Sequence, residues 1–170
     1  METGARGSGA RHGGARGARL GDAPRARYGG SEGIFGGWFR DVREGRPIGV
    51  PGDGHQRWNL VHRDDVAEGY RLALEHGRGG QRYLLVDESR FTALELAEAA
   101  ARASGGEVRL LTREQTLERH GKSGLAMMMD QRMTSARARR ELGWVPMHSS
   151  FVAEAAELYR EWATGKTVLA

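Results

Sequence analysis

The chain contains no cysteine. Disulfide cross-links and thiolate chemistry are therefore ruled out, and a reducing, cytoplasmic setting is the expectation. No apolar run reaches the roughly 18 residues a membrane-spanning helix needs, so no membrane partner is expected. There is no internal repeat, and no serine on a nucleophile elbow followed by an acid and a histidine. Net charge is also missing from most of the chain. The whole carries 26 basic and 22 acidic residues, and residues 1–27 alone hold six arginines against two acids. Residues 28–170 are thus balanced, so nucleic acid is not an expected partner for the folded part.

What is present begins with a tail. Residues 1–27 are almost entirely Gly, Ala and Arg, with Leu20 the one large aliphatic residue after Met1. Such a segment buries too little apolar surface to offset its ordering entropy and is read as disordered. The division expected is a tail over 1–27 and one folded unit over 28–170. An RNA-binding tail lacks an aromatic on which to stack a base, and a transit peptide is disfavoured by the helix-breaking glycines. A third reading, a misassigned start or shifted frame, is preferred for a reason given below.

From residue 28 the punctuation is clearer. Ile34, Phe35, Trp38, Phe39 and Val42 have helical spacing that stops at Gly45, and Pro47 to Val50 is extended. Gly52-Asp53-Gly54 marks a turn, Trp58 to Val61 a strand, and Asp64 or Asp65 the cap of a helix placing Val66, Tyr70, Ala73 and Leu74 on one face. Tyr83 to Val86 is a continuous apolar run, as in a buried parallel strand. Thr92-Ala93-Leu94-Glu95 and Thr112-Arg113-Glu114-Gln115 are capping boxes, with a strand over Val108 to Leu111 between their helices. Thr134 or Ser135 caps a short helix ended by Gly143, and Ser150 caps one with Phe151, Ala155, Leu158 and Trp162 in a stripe. This is an α/β pattern that fades into a helical end.

Two chemical constellations compete with bland alternatives. Gly30, Gly33 and Gly36 have a dinucleotide-binding spacing, but a buried strand must precede it, and Arg25 to Tyr28 does not read as one. His55, His62, Asp64 and Asp65 have donor chemistry for zinc or iron, yet their spacing matches no strong motif. A helix cap and a strand-end histidine explain them better, so no metal is expected. Met127 to Met129 read as adaptable helical core filler.

Taken together, four pieces resemble the C-terminal part of an extended short-chain dehydrogenase/reductase, the NAD-dependent epimerase/dehydratase family. They are Tyr28-Gly29 with the glycine-rich loop; Gly52-Asp53-Gly54 through Val61-His62-Arg63-Asp64-Asp65-Val66-Ala67; Tyr83 to Val86 with Thr92 to Ala97; and Arg137 to Pro146 with Phe151 and Trp162. The resemblance implies a C-terminal fragment of a Rossmann-type NAD(P)-binding fold, its last strands plus a mostly helical substrate-binding subdomain. It implies NAD or NADP as cofactor for the intact family, a small-molecule substrate, and the possibility of a homo-oligomer. The family's catalytic Tyr-x-x-x-Lys has no counterpart: Glu32, Leu74, Asp87 and Ala163 stand four residues after the tyrosines. The family's glycine fingerprint is absent too, so this chain alone is expected to lack catalytic and cofactor-binding residues and to be inactive. The abrupt change at residue 28 is the reason for preferring a truncated or misread N-terminus.

The resemblance implies substrate contacts at Tyr28, Arg57, Trp58 and His62. Many nucleotide-sugar members place an arginine four residues before the signature histidine, to grip the diphosphate. Here that position is Trp58, and the arginine is one earlier, at Arg57. A shift of one residue along a strand turns the side chain to the other face, which favours a smaller or more apolar substrate. The competing expectation is a non-enzymatic interaction module that associates through an exposed sheet edge at Tyr83 to Val86.

Overall fold

A computed structural model describes residues 19–20 and 26–165. The remaining residues of the tail assigned to 1–27 lie outside the described residues. Six short strands and seven helices follow one another in the described residues. The strands are β1 (Arg19–Leu20), β2 (Ala26–Tyr28), β3 (Ile48–Pro51), β4 (Leu60–His62), β5 (Arg82–Tyr83) and β6 (Val108–Leu111). The helices are α1 (Gly33–Arg43), α2 (Arg63–His76), α3 (Ala93–Ser104), α4 (Arg113–His120), α5 (Ser123–Met127), α6 (Ala136–Leu142) and α7 (Phe151–Thr164). The strands pair in parallel as β1 with β5, β2 with β4, and β3 with β6.

Two findings differ from the tail reading. Ala26 to Tyr28 is a strand after all, and Arg19–Leu20 is a short one. Their own composition gives no strand signal; β4 and β5 supply the hydrogen-bonding edges. Alternation along the β2/β4 pair then sorts the apolar residues into two clusters. Tyr28 and Leu60 join the larger one with α1, β3, α3 and α7, while Val61 joins Val66, Tyr83, Leu85, Ala138, Leu142 and Trp144.

Local signals placed most helices. Thr92 and Thr112 form the two reciprocal capping boxes, Gly105 and Gly143 close their helices in the left-handed conformation, and Ser150 caps α7. The expected stripe of α7 is buried: Phe151, Ala155, Leu158 and Trp162 all face the larger core.

Three local expectations are corrected. The cap of α2 is His62, whose Nδ1 accepts from the Asp64 N–H at 3.2 Å, so neither Asp64 nor Asp65 serves. The buried face of α2 is Asp65, Val66 and Gly69, with Leu72 and Ala73 partly covered; Tyr70 and Leu74 are exposed. Of the expected stripe, Val66 and Ala73 face the smaller cluster, and Asp65 and Gly69 take the buried positions in place of Tyr70 and Leu74. Of the three methionines, Met127 packs partly against the larger core, but Met129 is exposed.

The run Tyr83 to Val86 is buried except for Leu84, yet only Arg82 and Tyr83 are strand. The Ser135 Oγ accepts from the Val86 N–H and donates to the Val86 carbonyl, both at 2.8 Å. One hydroxyl therefore satisfies both groups that a neighbouring strand would take. At Tyr83, paired with Leu20, and at Val86, bonded to Ser135, the edge on which the interaction-module expectation rested is taken up from within the chain. Among the described residues, no helix is long and apolar enough to cross a membrane.

Candidate functional site

A cleft of about 630 Å³ opens between α1, the stretch before β4, and the segment from α4 to Gln131. Helix periodicity builds its first wall: Gly33, Ile34, Gly37, Trp38, Arg40 and Asp41 recur at the three- and four-residue spacing of one helical face. Trp58 forms the second wall, its ring centroid 5.9 Å from that of Trp38. Met127, Ala126 and Gln131 form the third.

The second and third walls are fastened by polar groups far apart in sequence. The Trp58 Nε1 donates to the Met127 carbonyl at 2.8 Å, and the Gln56 amide reaches the same carbonyl at 3.1 Å and the Pro51 carbonyl at 2.8 Å. The Arg57 N–H donates to Asp130 at 2.8 Å, and the Gln131 N–H returns to the Arg57 carbonyl at 2.9 Å. Asn59 Oδ1 accepts from the Met133 N–H at 2.9 Å. Residues 56–59 and 127–133 are zipped together, and buried amides held this way fix the wall's position.

The rim is cationic. Asp41, nearly fully buried, accepts from Arg46 at 2.8 Å and is also bound by Arg119. Burial and the adjacent Arg119 push the His120 imidazole below its ordinary range, which favours the neutral ring. Arg40 is exposed and makes no ion pair among the described residues.

The four substrate residues expected from sequence separate into two groups. Trp58 lines the cleft. Arg57 does not line the cleft; its guanidinium lies 3.9 Å from Asp130. Both it and Trp58 precede β4, which begins at Leu60, so the expected strand over Trp58 to Val61 starts two residues later. Tyr28 and His62 are buried together, ring centroids 5.1 Å apart, behind the cleft and not in it.

That buried pair belongs to a polar cluster at the carboxyl ends of β2 and β4. The His62 ring stacks on His148 at 3.4 Å, and the His148 Nδ1 lies 2.8 Å from Glu154. Burial, then the neighbouring His148, lowers the His62 pKa. Burial, with the Asp87, Glu154 and Asp65 carboxylates nearby, holds the Tyr28 phenol far above its usual range. Its hydroxyl and the Asp87 Oδ2 are buried without a hydrogen-bond partner among the described residues.

The structure does not gather His55, His62, Asp64 and Asp65. His55 is exposed, and Asp65 is buried as the anchor of another segment: its carboxylate accepts from the Met147 and His148 N–H groups at 2.8 and 3.2 Å. A different trio comes together, His62, His148 and Glu154, with donor atoms within 4.8 Å of one another. Its geometry is that of stacked rings tilted by 22°, with His62 Nδ1 already accepting a backbone hydrogen. In-plane lone pairs of near-parallel rings do not converge on one ion, so the trio is a packing and hydrogen-bonding unit.

The glycine loop fits its own chain and not a pyrophosphate. A Cβ on Gly29 would lie 2.3 Å from His62 Nε2, one on Gly30 would meet Arg63 at 3.0 Å, and one on Gly36 would meet the Ser31 carbonyl at 2.1 Å. The space these glycines leave is filled by protein. The cap of α1 is Glu32, an acid where a phosphate would sit. These residues do not fit a dinucleotide.

Comparison with known proteins bears on the identity of this arrangement. Residues 23–85 match the model of the NAD dependent epimerase/dehydratase family. An uncharacterized protein of Schizosaccharomyces pombe is 30% identical over 105 residues, covering 62% of this chain and 36% of the relative. One of Saccharomyces cerevisiae is 31% identical over 98 residues, covering 58% of this chain and 33% of the relative. Among solved structures, the dTDP-glucose 4,6-dehydratase DesIV of Streptomyces venezuelae, with NAD bound, superposes with a TM-score of 0.66 at 23% identity, over 82% of this chain and 42% of that one. The human epimerase family protein SDR39U1, with NADPH, gives 0.66 at 22% identity, over 82% and 50%. The resemblance to the family is therefore shown in sequence over residues 23–85 and in fold over most of the chain. The chain spans about a third of the length of the curated relatives it matches.

Proposed function

We propose that this chain is the substrate-side portion of an NAD(P)-dependent epimerase, dehydratase or oxidoreductase. The observation that carries the reading is the cleft, two of whose walls, α1 and Trp58, fall within the residues 23–85 that match the family and whose lining combines apolar rings with a cationic rim. Pockets of this size with a few placed polar groups are the usual form of a small-molecule site. In this role Trp58 touches the substrate. Arg57 holds the 127–133 wall through Asp130, and Tyr28 and His62 form the packed support behind it. The chain contributes position and shape; the proton-transfer groups and the nicotinamide site of the family are not among its residues.

Calorimetry on the purified chain tests this. The expected result is no NADPH binding in the micromolar range and no turnover of a sugar nucleotide or a simple ketone. Tight NADPH binding would sink the substrate-side assignment.

A further inference from the structure

Two glycines adjoin in the middle of α1, and they differ. Gly36 has a packing reason: its missing Cβ makes room for the Ser31 carbonyl. Gly37 has none, since a Cβ added there would meet nothing within 4 Å. Glycine is among the poorest residues for a helix interior, and nothing in the protein occupies the room it leaves. That room is the cleft, which Gly37 lines together with Trp38 and Trp58.

Charge narrows the occupant. Three guanidinium groups line the cleft, Arg40, Arg46 and Arg119. Two of them are committed to the buried Asp41 carboxylate. Arg40 makes no ion pair among the described residues and stands three positions, one helical turn, beyond Gly37. Arg57, the residue suited to a diphosphate, does not line the cleft.

We propose that the cleft takes a small molecule with an apolar body and a single negative charge, the body over Gly37 against the lining formed by Ile34, Trp38, Trp58 and Met127 and the anion on Arg40. The proposal rests on the substrate-side reading above and gives it a ligand class. An apolar body gains by covering the apolar lining, and a carboxylate gains a charge-assisted hydrogen bond from a guanidinium that makes no ion pair among the described residues. A diphosphate would leave its second charge without a cation.

Titration calorimetry on the full chain with three probes decides it: naphthoate, the neutral naphthalenemethanol, and uridine diphosphate. Naphthoate is expected to bind about tenfold more tightly than the alcohol, the worth of one charge-assisted hydrogen bond. Arg40→Gln should erase that preference and leave the alcohol's affinity unchanged. Gly37→Leu should abolish binding of both. If that variant fails to fold, Gly37→Ala, which adds one carbon into open space, should weaken naphthoate without lowering the thermal midpoint. An Arg40→Gln protein that keeps the preference, or Gly37 variants that bind as the parent does, overturn the proposal. Uridine diphosphate binding more tightly than naphthoate overturns the single-charge ligand and leaves the substrate-side reading standing. Failure of all three probes at millimolar concentration overturns both.

Discussion

The stretch from Gln56 to Asp65 divides into two halves that do opposite jobs with unexpected residues. Its first half, Gln56 to Asn59, presents an apolar indole to the cleft and spends its polar atoms on the 127–133 wall. Its second half, His62 to Asp65, holds the residue types usually associated with chemistry, and uses them to cap α2 and to hold the loop at 147–148. The difference teaches that chemical side-chain types do not by themselves mark a functional site. Here the histidine and aspartate are interior joints, and the tryptophan, itself nearly fully buried, is the residue of this stretch that lines the cleft.

Mutations can break this contrast, and the largest effect belongs to the second half. Asp65→Ala removes a fully buried acceptor from two backbone N–H groups and is expected to cost about 3 kcal/mol in chemical denaturation. Its neighbour Asp64 is half exposed and pairs with Arg63, so Asp64→Ala should stay within about 0.5 kcal/mol. Equal losses at the two positions would remove the claim that Asp65 is a structural anchor.

Trp58→Phe is next. It deletes the indole donor to the Met127 carbonyl, but the Gln56 amide still reaches that carbonyl. A loss of about 1 kcal/mol follows, against about 3 if the carbonyl were left bare. Gly37→Ala should reverse the sign and raise stability by about 1 kcal/mol, whereas Gly36→Ala should lower it because its Cβ meets the Ser31 carbonyl at 2.1 Å. Thermal melts of the two alanine variants check this directly.

The smallest effect is a pH slope. Burial lowers the His62 pKa below its unfolded value, so the folded chain binds fewer protons there than the unfolded one. Stability from this group is therefore present above the ordinary histidine range and is lost as pH falls from that range toward the lowered folded value. His62→Asn keeps a side-chain acceptor for the helix cap and should flatten the slope between about pH 7 and 5. An unchanged slope would mean that another group carries it.

Much of the fold was legible where the determining contacts are local. A capping box needs only Thr92 and Glu95, and a left-handed stop needs only Gly143, so both were read directly. The family signature was legible for the same reason, since it is a contiguous run. The site was not. Its walls meet because Gln56 and Trp58 bond to Met127, about 70 positions away, and no periodicity announces such a pair. The face of α2 was misread because Asp65 is the buried residue and Leu74 the exposed one, the reverse of what hydropathy dictates. Thr134 or Ser135 is the expected cap of α6; Ser135 holds the cap position but its hydroxyl completes Val86, and the Thr134 hydroxyl accepts from the Ala136 N–H. Of the cleft's lining, Trp58 is expected as a substrate contact, through the family resemblance and not through any periodicity.

The indole N–H signals of Trp38, Trp58 and Trp144 in a nuclear magnetic resonance titration test the central claim most directly. Naphthoate is predicted to move the Trp38 and Trp58 signals and to leave Trp144, which is buried in the other cluster and bonded to the Asp65 carbonyl, unmoved. NADPH is predicted to move none of them. Shifts at Trp144 alone, or saturable shifts with NADPH at micromolar concentration, would contradict the account.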